Sequence, residues 1–172
     1  MLLSRFFVGA VSSLVLAACV VPMAAPVRSP AAAPRAAAAG ATEARIFDLI
    51  NAERRHQGLR PLVYNPQLDQ MARIQAANMA HFQKMAHTLP GAKLPALSDR
   101  ARYVGYAYGR IAENVALGYP NADAVVEGWM NSSGHRHNIL DRDVTETGIA
   151  IARSSAGGVY YCQVFGRQLS SL

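Results

Sequence analysis

The chain has 172 residues, an apolar fraction of 51% and a net charge of +6, which gives room for one ordinary domain with additional segments. From position 42 onward, 14 basic and 11 acidic residues leave a net charge of only +3, spread along the chain. No basic cluster could follow a phosphate backbone, so the composition argues against nucleic acid binding.

The N-terminus has the pattern of a targeting segment. Arg5 precedes an uncharged run of 13 residues, Phe6 to Ala18, and Cys19 follows. This run is too short to span a bilayer but suits the core of a signal peptide. Leu16-Ala17-Ala18-Cys19 has the form of a bacterial lipoprotein cleavage box, so we predict a lipoprotein signal peptide over residues 1–18 and lipid attachment at Cys19. An ordinary secretory signal cut nearby is the alternative.

Lipid attachment would anchor the protein, because several acyl chains on one residue hold stably to a membrane. We therefore expect a location in the cell envelope, at the outer membrane or in the periplasm, or else secretion. If Cys19 is lipidated, Cys162 has no internal disulfide partner. If Cys19 is not lipidated, a Cys19–Cys162 disulfide is possible in an oxidising compartment. The apolar strand pattern around Cys162 favours a buried, inert thiol.

Residues 19–41 are rich in Ala and Pro, which predicts a disordered or extended tether ahead of a folded domain over residues 42–172. Thr42 can cap a first helix that runs to about Gln57. Leu59 to Tyr64 is a connector. Asn65-Pro66 then predicts a capped second helix that runs to about residue 84.

A short helix is expected around residues 98–106, and residues 110–118 alternate like a strand. In that strand Glu113 shares a face with three apolar residues, so its carboxylate must be paired, protonated or bound to a metal. Pro120-Asn121 caps the next helix, which Gly134 is expected to end. A further short helix would then carry His135 in its first turn.

Two strands, about 145–153 and 158–166, are joined by a Ser- and Gly-rich hairpin loop. The second strand is apolar on both faces, and such strands are covered by helices on both sides. The pattern predicts an α+β fold, a three-layer α/β/α sandwich with a small central antiparallel sheet.

An ordered set of motifs resembles the bacterial branch of the CAP superfamily, which comprises cysteine-rich secretory proteins, antigen 5 and pathogenesis-related proteins and is also called the SCP-like extracellular domain. The resemblance covers about residues 43–168 and rests on these segments: Leu49-Ile50-Asn51-Ala52-Glu53-Arg54, Gly58-Leu59-Arg60-Pro61-Leu62, His87, Ala112-Glu113-Asn114, Trp129-Met130-Asn131-Ser132-Ser133-Gly134-His135-Arg136, Asn138-Ile139-Leu140, and Gly148, Gln163, Phe165 and Gly166 in the closing hairpin.

The family fold is an α/β/α sandwich, and many members carry a cleft of two His and two Glu that binds divalent metal in some. The resemblance implies that His87, Glu113 and His135 occupy three of these places, whereas Ser132 stands where the second Glu is expected. These three side chains could form an open Zn²⁺ site. Glu127 and Glu146 are possible substitutes outside the family position. The expected cleft residues are thus His87, Glu113, His135, Ser132 and Asn114.

The remaining polar residues have simpler interpretations. His137 is expected at the surface, and Asn114 and Asn138 are expected to bind loop backbone. Arg136 could pair with Asp141 or Glu146.

We weigh three functions. The first is a non-catalytic envelope module, expected to be a monomer, whose cleft binds a lipid, an envelope glycan or a protein partner. The second is a Zn²⁺-assisted hydrolase that uses His87, Glu113 and His135. The third, catalysis by Ser132 or Ser133 with a His, ranks lowest because the nucleophile-elbow pattern is absent. Whether the protein is an enzyme stays open, with the non-catalytic function favoured.

Overall fold

The computed structural model describes residues 40–169. The predicted signal peptide, Cys19 and the tether as far as residue 39 lie outside the described residues. Within that range the order of elements is α1 (Ala41–His56), β1 (Val63–Tyr64), α2 (Pro66–Phe82), α3 (Leu97–Val104), β2 (Tyr108–Leu117), α4 (Ala122–Asn131), α5 (Ser133–Leu140), β3 (Glu146–Arg153) and β4 (Val159–Gln168). Over residues 40–169, no helix is both long and apolar enough to cross a membrane.

The starts of α2 and α4 follow local capping chemistry, whereas the N-cap residues of α1, α3 and α5 form no side-chain cap. Asn65 caps α2 as predicted, since its side-chain oxygen accepts hydrogen bonds from the backbone N–H groups of Gln67 and Leu68. Asn121 caps α4 in the same way. The predicted cap at Thr42 is wrong, because α1 begins at Ala41 after Gly40 and no side chain caps it. The first described helix therefore begins one residue before Thr42.

The sheet has the strand order β1-β3-β4-β2. β4 pairs with β2 and with β3 in antiparallel fashion, as predicted. The prediction of a purely antiparallel sheet is wrong at one edge, where the two residues of β1 pair in parallel with β3. The connector expected there contributes a strand because the Val63 N–H donates to the Thr145 carbonyl and the Asn65 N–H to the Thr147 carbonyl.

Two apolar clusters on opposite faces of the sheet make the three layers. One joins α2 and α3 to strand residues such as Val115, Cys162 and Val164. The other joins α1, α4 and α5 to strand residues such as Ala116, Tyr161 and Phe165. Alternate residues of each strand thus face opposite helix layers. This confirms the predicted α/β/α sandwich.

The junction of α4 and α5 differs in detail from the prediction. α4 ends at Asn131 and α5 starts at Ser133, so the break lies at Ser132, which has an extended backbone. Gly134 lies in the first turn of α5 and does not end a helix. The turn therefore lies two residues earlier than expected. His135 is still in the first turn of the second helix, as predicted.

Candidate functional site

The predicted strand places Glu113 in the middle of β2, an edge strand of the sheet. Its side chain faces the α2–α3 layer and is only 2% exposed. A carboxylate so buried needs a partner, because an unpaired charge away from water is strongly unfavourable. Of the three solutions expected from the sequence, the structure shows pairing.

The partner is Arg100 of α3, which is 0% exposed. Its Nη2 donates to Glu113 Oε2 at 2.5 Å, and its Nη1 donates to Gln75 Oε1 at 2.6 Å. Gln75 Nε2 in turn donates to the carbonyl oxygens of Ala86 at 2.5 Å and His87 at 3.4 Å. Arg100 therefore holds both the carboxylate and, through Gln75, the backbone of the loop that carries His87.

His87 forms the solvent side of this cluster. Its Nδ1 lies 3.0 Å from Glu113 Oε1, and its side chain is 58% exposed. Since a carboxylate only accepts hydrogen bonds, Nδ1 must carry the proton in this contact. The other ring nitrogen, Nε2, takes no part in it. The hydrogen bond to Glu113 raises the pKa of His87 above its ordinary value, although partial burial and the charge of Arg100 oppose the shift.

Cys162 completes the buried side of the cluster. It is 0% exposed on β4, and its Sγ lies 3.5 Å from Glu113 Oε2. Burial, followed by the charge of Glu113, raises the pKa of the thiol. The buried environment expected for Cys162 is confirmed, whereas the alternative bridge to Cys19 involves a residue outside the described range.

His135 lies in the first turn of α5, and its backbone is tied to β2 through Asn114. Asn114 Nδ2 donates to the His135 carbonyl at 3.1 Å, and Asn138 Nδ2 donates to Asn114 Oδ1 at 2.9 Å. Burial, and then the charge of His87, lowers the pKa of His135. The backbone-binding role expected for Asn114 and Asn138 is confirmed. Asn114 is 0% exposed, and its contact with a ligand stays a prediction.

The other candidate residues lie apart from this cluster. Ser132 is half-buried at the α4–α5 break, where its carbonyl accepts the Arg136 N–H. His137 is exposed, as expected. The two carboxylates proposed for Arg136 are held by other groups: Asp141 by Arg110, and Glu146 by Asn65 and Tyr106. Glu146 and the exposed Glu127 therefore do not replace the missing family carboxylate.

A metal ion does not fit the three predicted ligands. Glu113 is a poor metal ligand here, because a buried guanidinium already pairs with one of its oxygens and His87 is hydrogen-bonded to the other. In the described part of the chain, no group of three or more His, Cys, Asp or Glu residues is arranged to hold a metal.

Arg100 was not among the residues predicted for this site. Its signal was present, because a strand carboxylate among apolar residues demands a cation, and Arg100 lies in the short helix just before that strand. Nothing in the sequence distinguishes Arg100 from its exposed neighbour Arg102, however, until the packing of α3 is known.

The comparisons with known proteins agree with this fold. The model of the cysteine-rich secretory protein family (CAP) matches residues 47–165. The uncharacterised protein YkwD of Bacillus subtilis (strain 168) is 35% identical over 127 residues, which are 74% of this chain and 48% of that protein. The chain thus spans about half the length of this relative, and 34% of the B. subtilis membrane protein YlbC, to which it is 32% identical.

Solved structures show the same architecture. An extracellular protein from Bacillus anthracis that contains an SCP domain superposes with a TM-score of 0.65 at 28% identity, over 74% of this chain and 40% of that one. An outer surface protein from Borrelia burgdorferi gives a TM-score of 0.66 at 20% identity, over 72% and 90% of the two chains; at that identity it is similar in fold alone. The matched residues include β2, α5 and the cluster around Glu113, and the chain belongs to the cysteine-rich secretory protein (CAP) family.

Proposed function

We propose that the protein is a non-catalytic binding module of the cell envelope, and that two imidazoles, those of the exposed His87 and the half-buried His135, contact its ligand. The ligand classes are a lipid, an envelope glycan or a protein partner. The observation that carries the proposal is the engagement of both Glu113 oxygens, by Arg100 and by His87.

A hydrolytic centre at this position would need a carboxylate that is free to take a proton or to coordinate a metal. Glu113 is held by a buried ion pair, and breaking such a pair costs about 3–5 kcal/mol. Its carboxylate is therefore suited to orienting His87. The alternative of a Zn²⁺-assisted hydrolase through His87, Glu113 and His135 is disfavoured on the same ground.

His87 has the properties of a recognition group. Its Nδ1 is fixed by Glu113, so Nε2 can accept a hydrogen bond when the ring is neutral and donate one when the ring is protonated. His135 is the second imidazole of the proposal; burial, and then the charge of His87, lowers its pKa. Two imidazoles suit a ligand with several polar groups, such as a glycan or a lipid head group.

The envelope location rests on the predicted signal peptide and on lipid attachment at Cys19. The extracellular description of the B. anthracis relative supports a location outside the cytoplasm. Membrane attachment through Cys19 and a monomeric state remain proposals. Mass spectrometry of the purified full chain tests the first, because lipidation removes residues 1–18 and adds acyl mass to Cys19.

The binding test uses delipidated full chain, native mass spectrometry and calorimetric titration with envelope lipids and glycans. We expect a saturable ligand whose affinity falls in His87→Ala and His135→Ala but not in His137→Ala, a matched control on the exposed side of α5. Absence of any retained or rebound ligand would contradict the proposal. Stoichiometric Zn²⁺ that is lost in Glu113→Ala, together with hydrolytic activity, would restore the enzymatic alternative.

A further inference from the structure

A second site is formed where the end of α1 meets β1 and the segment before β3. A hollow of about 550 Å³ lies there, and we call it the arginine hollow. Three guanidinium groups line it, those of Arg54, Arg60 and Arg142, and no Asp or Glu is among its lining residues. It shares no residue with the His87 cluster, so it is independent of the function proposed above.

Arg54 supplies a fixed positive charge beneath the hollow. It is only 2% exposed, and its N–H groups donate to the carbonyl oxygens of Arg60, Ile139 and Asp141 at 2.7–2.9 Å and to that of Val144 at 3.3 Å. Within residues 40–169, no carboxylate forms an ion pair with Arg54. Carbonyl oxygens satisfy its donors without neutralising its charge, so the positive potential extends into the hollow.

The nearest carboxylate does not cancel this potential. Asp141 acts on Arg54 electrostatically, but its side chain is held by Arg110 at 2.9 Å and accepts the backbone N–H of Asp143. Arg60 and Arg142 are exposed at the hollow. Their guanidinium groups are therefore available to bind a phosphate or a carboxylate through paired N–H groups.

Apart from Gly58 and Thr145, the rest of the lining is apolar. Leu59, Pro61 and Val144 contribute to the wall, and Val63 of β1 is 59% exposed there. An apolar side chain so exposed beside three arginines suits a ligand that carries both a negative charge and an apolar portion. A volume of this size is typical of pockets for small molecules.

We propose that the arginine hollow binds the anionic head group of an amphiphile, with its phosphate or carboxylate on Arg60 and Arg142 and its adjoining apolar portion on Val63 and Leu59. Arg54 is a positioning residue in this site, because it fixes the surrounding carbonyls and adds charge without reaching the surface.

The test is an NMR titration of the full chain, with Cys19→Ser to prevent lipid attachment. The ligand is dihexanoyl phosphatidylglycerol below its micelle concentration; dihexanoyl phosphatidylcholine and inorganic phosphate are the comparison arms. We expect saturable shifts at Val63, Val144 and Thr145 with the anionic lipid. Equal affinity for the zwitterionic lipid would overturn the anionic assignment, and equal affinity for phosphate would overturn the apolar one.

The variant Arg60→Gln/Arg142→Gln should weaken binding of the anionic lipid about tenfold or more, the effect of losing charge-assisted hydrogen bonds. Arg102→Gln/Arg153→Gln removes the same charge at exposed positions outside the hollow and should leave the affinity within about twofold. Equal weakening in both variants would show that net charge alone drives binding and would overturn the site. Both pairs are exposed, so we expect both variants to fold.

Discussion

Glu113 contacts side chains from three separate segments: Arg100 of α3, His87 of the loop before it and Cys162 of β4. Of the two cationic partners, Arg100 is 0% exposed, like the 2% exposed Glu113 that it binds, whereas His87 is 58% exposed. The stability of this part of the fold should therefore depend on the Arg100–Glu113 pair more than on the exposed imidazole.

Replacing Arg100 by Met should destabilise the protein by about 3–5 kcal/mol, because it leaves a buried carboxylate without its cation. The double variant Arg100→Met/Glu113→Leu should recover most of the loss, since it removes the orphaned charge as well. Urea unfolding of the two single variants and the double variant measures the coupling. If the double variant were as unstable as the sum of the singles, the ion pair would not be the cause.

The titration of His87 should report its contact with Glu113. The folded-state pKa of His87 lies above its ordinary value of 6.5, so the protonated ring stabilises the fold fully below about pH 6.5. That contribution is lost as the pH rises through the folded-state pKa. NMR titration of the ring should show that Glu113→Gln lowers the pKa of His87.

The control for this titration is Glu127→Gln, which removes an exposed carboxylate of α4 and should leave the His87 pKa unchanged. His87→Ala should also raise the pKa of His135, because the positive charge that lowers it is gone. An unchanged pKa of His87 in Glu113→Gln would mean that His87 and Glu113 are not hydrogen-bonded in solution.

The interactions of individual residues could be predicted in part from the sequence. The isolated carboxylate on an apolar strand face predicted that Glu113 needs a partner, and the structure confirms pairing. The identity of the partner depended on how α3 packs, a tertiary contact that no local pattern contains. The family resemblance implied a metal at these residues, which stays a prediction; the cation that the structure places against Glu113 is Arg100.

At the scale of elements, α2 packs directly on β3 at Gly148. A Cβ atom there would lie 2.0 Å from the Asp69 backbone nitrogen and 2.3 Å from the Leu68 carbonyl carbon, and backbone atoms cannot yield cheaply. Gly148→Ala should therefore separate the helix from the sheet and cost about 1–3 kcal/mol or more.

The matched control is Gly134→Ala in α5, where a Cβ atom would meet nothing within 4 Å. Alanine is favoured over glycine in a helix by about 0.5–1 kcal/mol, so this variant should be as stable as the parent or slightly more stable. Thermal unfolding of both variants measures the contrast. Equal effects at the two positions would show that the close approach at Gly148 relaxes without cost.

Elements with strong local signals were predicted well. Asn65-Pro66 and Asn121 carry their own capping chemistry, and the alternation in β2, β3 and β4 identified which residues face which layer. The signals failed where tertiary hydrogen bonds decide the outcome. β1 has only two residues and forms because β3 lies beside it, and the α4–α5 break falls at Ser132 although Gly134 is the more flexible residue.

At the scale of the whole molecule, Cys162 lies in the interior, at 0% exposure between the sheet and α2. Its thiol should react with a disulfide reagent only when the fold opens, because burial removes access and raises its pKa. The measurement is the labelling rate of Cys19→Ser protein in increasing urea, which should follow global unfolding. Labelling at the rate of a free thiol without urea would contradict the buried placement.

The layered architecture could be predicted because each strand carries its own two-faced pattern, and the resemblance to the CAP family led to the same fold. The position of the arginine hollow could not be predicted, since its lining comes from segments about 80 residues apart that meet only in the folded chain. The same holds for function: the family could be identified from the sequence, whereas the surface chemistry of this chain appears only after folding.

β4 lies at the centre of the sheet, between β3 and β2, although it is the last of the described strands to be synthesised. β2 and β3 have no hydrogen bonds to each other, so neither can join the other before residues 159–168 have left the ribosome. The three longest strands can therefore come together as one sheet only after residues 159–168 have been synthesised, so the order of the strands in the chain sets the earliest moment at which this sheet can close.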